Sequence, residues 1–310
     1  MSANFSTPQN IPPEIKQYLK GSENAVGGTG KTGILHLKFE KDSYSGNTII
    51  KEQYSRVPLL AQRAMYLEES LPSMAYVYIV SPSGGILQGD RYQIEIKLGN
   101  NTYAHVTTQG ATRIYKMEKN YASQTINIEV KEGGYFEYIP DQLIPFRNSR
   151  FYQEVILNVH DNATMMYSEV IVPGRVASGE AFEYDICFVK TICKNHLGKT
   201  RFIDTVNLEP KKENLRTNGI LGNFLVVGTI YVVTKEPYVK DLRYNIDQKI
   251  RVLKYRAMVS CGSSILPGRQ GIIIRILGNS AEDVKKMIFK VIMIVRKQIV
   301  GASFSGIRKS

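Results

Sequence analysis

What most constrains this chain is a succession of short segments with a hydrophobic residue at every second position, each closed by a turn signal. Arg91 to Leu98 is the cleanest: Tyr92, Ile94, Ile96 and Leu98 alternate with Gln93, Glu95 and Lys97. A period of two places one set on each face of an extended strand. From Gly33 onward the pattern recurs. Ile34, Leu37 and Phe39 begin a strand, Ser45-Gly46-Asn47 turns it, and Thr48-Ile49-Ile50 continues the sheet. Met74 to Val80, Thr102 to Thr108, Thr125 to Val130, Tyr135 to Ile139, Tyr152 to Val159 and Thr164 to Val172 follow. Phe182 to Cys193, Arg201 to Leu208, Asn223 to Thr234 and Gly271 to Leu277 complete the series. Strands at this spacing, separated by Gly-, Asn- and Pro-bearing turns, predict a mainly β body.

Two segments break the rule. In Tyr238 to Tyr255 the apolar residues are Val239, Leu242, Ile246, Ile250 and Leu253, steps of three and four that predict a helix with one apolar face. A second helix is predicted from Ser280, which can cap it, with Asp283 at the third position in a capping-box-like arrangement. Its core face is Val284, Ile288, Val291, Val295 and Ile299. No repeat or linker divides the chain. Residues 1–32, rich in Pro, Gly, Ser and Asn, read as a flexible lead-in, and residues 33–310 as a single domain.

Composition bounds the function classes. Hydrophobic residues are 43% and charged residues 22% of the 310, ordinary for a globular chain. Cys187, Cys193 and Cys261 are too few for a disulfide scaffold and predict a reducing, cytoplasmic setting. Met1 to Pro13 has neither a basic nor an apolar signal region, and no signal peptide is expected. The longest unbroken apolar run of the most apolar stretch is Val291 to Val295, far short of the ~20 residues of a membrane span. The net charge of +12 is unevenly spread. Residues 1–189 carry 17 basic and 20 acidic side chains, and residues 190–310 carry 23 and 8. The C-terminal third is therefore expected to favour an acidic partner. No zinc finger, RRM or KH signature supports nucleic acid as that partner.

Several chemical motifs fail on inspection. Gly27-Gly28-Thr29-Gly30-Lys31-Thr32 resembles half of a P-loop, but Ala25 stands where the first glycine belongs, and a strand pattern follows instead of a helix. No nucleotide site is expected. Cys187, Cys193 and His196 lack a fourth ligand at zinc spacing, and the two cysteines fit a buried strand face. His36, His105 and His160 stand singly in strand-like surroundings. No G-x-S-x-G elbow or equivalent nucleophile motif occurs, and no catalytic residue is assigned. Paired carboxylates for glycoside chemistry meet only in three dimensions, so a carbohydrate-active β-helix enzyme stays open, as does a basic nucleic-acid binder.

Four segments are too unusual for plain turns. Ser81 to Asp90 packs Pro82, Gly84, Gly85 and Gly89 ahead of Asp90. Thr107 to Tyr115 runs TTQGATRIY, Tyr138 to Phe146 places Asp141 between two prolines, and Ser168 to Glu180 carries Glu169, Gly174, Arg175 and Glu180. In order and spacing these segments resemble the urease accessory protein family UreD, called UreH in some systems, over about residues 33–300. The resemblance implies a β-helix-like stack of many short strands with two helices toward the C-terminus, and no enzymatic activity. It implies binding to apo-urease and, with the accessory protein UreF and the GTPase UreG, help in delivering nickel through an internal passage. No tightly bound cofactor is implied, only nickel in transit. A cation in transit needs weak, widely spaced oxygen ligands, because a Cys/His cage would hold it. On that basis Asp90, Thr107, Thr108, Asp141, Glu169 and Glu180 are the candidate transit groups. Gly84, Gly85, Gly89 and Gly174 would shape turns, and Arg113 and Arg175 would pin loops by charge-assisted hydrogen bonds. The basic C-terminal third, with the helix from Ser280 and the tail Gly301 to Ser310, is the expected partner surface.

Overall fold

The computed structural model describes residues 11–19, 30–254, 259–304 and 306. In chain order the strands are β1 (Thr32–Lys41), β2 (Thr48–Arg56), β3 (Leu60–Ala61), β4 (Ala75–Val80), β5 (Arg91–Leu98), β6 (Tyr103–Thr108) and β7 (Thr112–Ile114). Then come β8 (Ala122–Val130), β9 (Tyr135–Tyr138), β10 (Leu143–Pro145), β11 (Arg150–Val159), β12 (Thr164–Ile171) and β13 (Ile186–Asn195). The last are β14 (Thr200–Leu208), β15 (Val226–Val233), β16 (Val259–Ile265) and β17 (Gly271–Gly278). The helices are α1 (Pro13–Lys16), α2 (Glu236–Lys254) and α3 (Ala281–Ile299).

The strands wind as a β-solenoid. Each coil lays one strand in each of two sheets: β4 then β5, β6 then β8, β9 then β11, β12 then β13. Successive coils therefore pair in parallel, β4–β6–β9–β12 in one sheet and β1–β5–β8–β11–β13 in the other. The short β7 and β10 pair in parallel at one corner, and the bridge from Ile86 to Ile114 extends that narrow third face. Antiparallel strands close the stack. β2 and β14 flank the first-described face's partner sheet, and β3 and the group β15–β17–β16 flank the other. Where a helix covers the outer face as well, as α3 does over β12, the strand is buried throughout, Thr164–Ile171 being the case.

Two apolar layers hold the stack. Between the sheets lie Leu37, Ile94, Ile128, Phe136, Val155 and Leu157, all 2% exposed or less. Outside the larger sheet, α2 and α3 cover Met166, Ile230, Ile274 and Ile276 with Leu242, Ile246, Ile288 and Val291. Each such side chain contributes about 1.5–3 kcal/mol of burial. The alternation expected at Arg91–Leu98 is present residue for residue, and Ser280 caps α3 by accepting from the Asp283 N–H at 3.1 Å. The expected core faces of both helices are buried in α2 at Val239, Leu242, Ile246 and Ile250, and in α3 at Val284, Ile288, Val291 and Val295. Ile299 is half-buried, and the side chain of Leu253 lies outside the described residues.

Three local expectations change. The strand expected from Phe182 begins at Ile186, because Phe182 has φ 60° and donates its N–H to Pro173 O in a loop. Val259–Ile265 is a strand that its sequence, VSCGSSI, conceals by having few large apolar residues. The lead-in is not loose where it is described: Ile15 of α1 is fully buried against Tyr121, Tyr152, Ile186 and Phe188. The Gly27-Gly28-Thr29 part of the glycine-rich motif lies outside the described residues, and the chain after Lys31 enters strand β1.

Candidate functional site

The interior between the two sheets is not uniformly apolar. In a strand of period two, residues paired across the ladder share a face, so one polar position per coil builds a line along the stack. Gln124 of β8 and Gln153 of β11 are such partners, and Gln124 Nε2 donates to Gln153 Oε1 at 3.4 Å. Gln153 Nε2 donates across to the Tyr167 hydroxyl at 3.1 Å, and Tyr167 donates to Glu169 Oε2 at 2.9 Å. Glu169 pairs with Thr229 of β15, and Thr229 with Arg275 of β17. Arg275 donates to Thr229 Oγ1 at 2.6 Å and ion-pairs with Asp204 of the opposite sheet, which also accepts from the Tyr231 hydroxyl. The rings of Tyr138, Tyr167 and Tyr231 stack alongside at centroid distances of 5.9 and 5.7 Å.

A cavity of about 400 Å³ leads into this line. Its rim includes Ser83, Gly84, Gly85, Gln109 and Arg113, and its inner wall includes Gln124, Tyr138, Gln153, Tyr167 and Glu169. Tyr138 is fully buried, and its hydroxyl finds no hydrogen-bond partner among the described residues. An unmatched buried hydroxyl costs about 1–3 kcal/mol, and a cavity of this size has room for a water that would supply the missing partner.

Electrostatics single out Glu169. Burial pushes its carboxyl up to about 7, against the lowering effects of the Tyr167 hydrogen bond and the Arg275 charge. The Tyr167 phenol is held well above its ordinary value by burial and by Glu169, and so remains a donor. Cys187, near enough to feel Glu169, is raised first by burial and then by that charge. It therefore stays a thiol at neutral pH.

The residues singled out by sequence fall in different places. Thr108, Asp141 and Glu169 line the cavity, as do Gly84, Gly85 and Arg113. Thr108 accepts from the Asp141 N–H at 2.9 Å, and the Asp141 carboxylate ion-pairs with Lys285 of α3 at 2.5 Å. Thr107 points to the other face, donating to Ile139 O at 2.6 Å beneath α3. Asp90 does not line the cavity. Its buried carboxylate accepts from Lys31 N at 2.8 Å, Leu87 N at 2.9 Å and the Tyr92 hydroxyl at 3.3 Å, which ties the Gly89 turn to the start of β1. Glu180 is gripped by Arg175, whose guanidinium also lies 4.4 Å over the Phe146 ring. Gly174, at φ 137°, brings its Cα against the Glu180 carbonyl, where a Cβ would stand 2.9 Å away. Arg113 is exposed, and its backbone carbonyl rather than its charge holds the neighbouring turn by accepting from Ile86 N.

The remaining expectations resolve similarly. Cys187 and Cys193 are buried and unpaired by disulfides, and no group of three metal-ligating side chains occurs among the described residues. No helix among them is long and apolar enough to cross a membrane. Of the tail expected as a partner surface, the side chains of Ala302 and Phe304 are buried in the core with α3, Gly301, Ser303 and Gly306 are exposed, and residues 305 and 307–310 lie outside the described residues. The rest of the line, Gln124, Gln153, Tyr167, Asp204, Thr229 and Arg275, was not singled out by sequence. Its signal is a polar residue at an inward position, such as Gln153 between Phe151 and Val155.

The family model for the UreD urease accessory protein matches residues 31–308. A urease accessory protein UreD of Cenarchaeum symbiosum is 44% identical over 284 residues, covering 92% of this chain and 98% of its own. Urease accessory protein UreD 2 of Brucella suis is 37% identical over 293 residues, 94% of this chain and 95% of its own. A UreD of Photorhabdus laumondii is 35% identical over 296 residues, with 94% and 90% covered. With the match spanning the whole solenoid, both capping groups and α3, the chain belongs to the UreD family of urease accessory proteins.

Proposed function

We propose that this chain serves urease maturation as a non-catalytic carrier scaffold. It binds apo-urease, works in a complex with UreF and the GTPase UreG, and passes nickel along the polar line between its sheets. One observation carries this reading: amide, phenol and carboxylate groups follow one another through an otherwise apolar sandwich and open into a cavity with an orphaned buried hydroxyl. Nickel is the cargo. Neutral oxygens, one carboxyl titrating about 7 and the Asp204 carboxylate, already paired with Arg275, bind a divalent cation weakly, so it is relayed and not held.

The basic surface supports the partnership. Lys240, Lys249 and Arg251 of α2 and Lys286, Lys290 and Lys297 of α3 lie on the helical layer that covers the larger sheet. Such a surface favours an acidic partner, and the complex should weaken as salt screens it.

The reading is tested by Gln153→Leu and Glu169→Leu, which replace links of the line by apolar groups of similar size. Co-purification with urease subunits, UreF and UreG should persist, while nickel incorporation and urease activity fall several-fold. Full activation by correctly folded Gln153→Leu protein would sink the passage.

A further inference from the structure

The far end of the polar line holds a positive charge. Arg275 lies in register with Thr229 and Glu169 on three adjacent strands, so all three face the interior. Asp204 belongs to the other sheet, in the row Ile126–Val155–Thr191–Asp204. The guanidinium bonds Thr229 on one sheet and Asp204 on the other, and thus spans the gap between them. The Asp204 carboxylate also accepts from Tyr231, and Glu169 lies close enough for the Arg275 charge to act on it. Four oxygen-bearing side chains, two of them carboxylic, therefore gather around one cation, and that cation is tethered.

The same pairing occurs at the mouth, where Asp141 is matched by Lys285 and, nearby, Glu180 by Arg175. At rest the line therefore offers no free carboxylate pair at either end. The two ends differ in one respect: Arg275 lies on the line itself. Its side chain is 38% exposed and that of Asp204 21%, so the guanidinium sits at the surface end of the line, with solvent beside it.

The geometry points to Arg275 as the closing charge of the passage: it occupies the place that a divalent cation takes before leaving, and the cation passes only when the guanidinium swings outward to a carboxylate of a docked partner. This rests on the passage reading and adds its regulation. The long, unbranched Arg stem permits the swing, because Thr229 and Asp204 hold only the head. A guanidinium binds a carboxylate in a fork that a partner's Asp or Glu can take over. Without that partner, the tethered charge excludes the cation by repulsion and by occupying its oxygens. The passage thus stays shut in the free protein, and nickel is not lost from it.

Equilibrium dialysis of the purified full-length chain against nickel(II) tests this without urease. Removing the charge should turn the end of the line into a binding site. Arg275→Ala should bind one nickel at least about tenfold more tightly than the parent, since a repelling charge is replaced by two available carboxyl groups. Arg275→Gln, which keeps a hydrogen-bonding head, should show the same gain, and Arg275→Lys, which keeps the charge, should not. The gain should vanish in Arg275→Ala/Asp204→Asn. If Arg275→Ala is poorly folded by circular dichroism, the Gln variant decides. No gain in either uncharged variant, an equal gain with Lys, or a gain that survives Asp204→Asn would each overturn the assignment. Failure of the passage itself reads out elsewhere, as undiminished urease activation by Gln153→Leu.

Discussion

Arg296 of α3 donates two hydrogen bonds of 2.6 Å, from Nε and Nη2, to the two carboxylate oxygens of Glu137 in β9, and both side chains are fully buried. Glu137 also meets His105 Nδ1 at 2.5 Å and accepts from the Tyr135 hydroxyl at 2.9 Å, while the Phe304 ring lies 4.3 Å from the guanidinium. The last turn of α3 is therefore fastened to the middle of the solenoid by charge. Burial alone would raise the Glu137 carboxyl; the Arg296 hydrogen bonds and charge, with His105, overcome it and hold the group well below the ordinary range.

Breaking one side of this pair leaves an uncompensated buried charge. Arg296→Met should lower stability by about 3–5 kcal/mol, and Arg296→Met/Glu137→Gln should recover part of the loss. Urea denaturation of the two variants and of Glu137→Gln completes the cycle. Strictly additive losses would show that the pair is not coupled. Because the folded value of Glu137 is depressed, its contribution is present above the ordinary 4.5 and is lost as pH falls below that value toward the folded one.

Glu169 has the opposite sign. Its folded value, about 7, lies above the ordinary 4.5, so the fold favours the neutral acid. Stability from this group is intact below 4.5 and declines as pH rises from there to about 7, by roughly 3 kcal/mol in all. Glu169→Gln should remove that slope and be the more stable protein at pH 8. The check is the urea midpoint of both proteins at intervals from pH 5 to pH 8, and parallel profiles would refute the placement of a buried, uncompensated carboxyl.

Two glycines at the cavity mouth should respond differently. A Cβ on Gly85 would stand 2.6 Å from the Arg113 carbonyl oxygen and 2.6 Å from the Tyr115 ring, whereas one on Gly110 meets nothing within 4 Å. Gly85→Ala is expected to cost about 1–3 kcal/mol and to lower the thermal midpoint, and Gly110→Ala to leave it nearly unchanged. Equal shifts in the two variants would contradict this packing of the turn on β7.

Much of the architecture was legible because a period of two survives wherever one strand face is drier than the other. Tyr92, Ile94, Ile96 and Leu98 showed it, and they are buried as a set. The pairing of distant strands into coils was not legible: β5 lies beside β8 and β1 rather than beside β4 or β6, its neighbours in the chain, and nothing local encodes that. Unusual turns located the mouth at Gly84, Gly85, Thr108 and Asp141. They also drew attention to Asp90, whose chemistry is spent on backbone amides. The interior line was hidden for the converse reason. Gln124, Gln153 and Tyr167 are ordinary strand residues, and only the stacking of coils turns them into neighbours. Arg296 stands directly after the apolar run Val291 to Val295, and nothing beside it in the chain points to a buried acid. Its partner, Glu137, lies 159 positions earlier.

A solenoid grows by whole turns. Neighbouring strands lie ~4.8 Å apart, so each added circuit lengthens the interior route by that step and contributes another inward position on each wall. On the proposed reading, the distance over which an ion is carried is accordingly quantised, fixed by how many circuits lie between the capping strands. A chain needing a longer interior line would extend it by duplicating a circuit, leaving both ends and their ion pairs as they are.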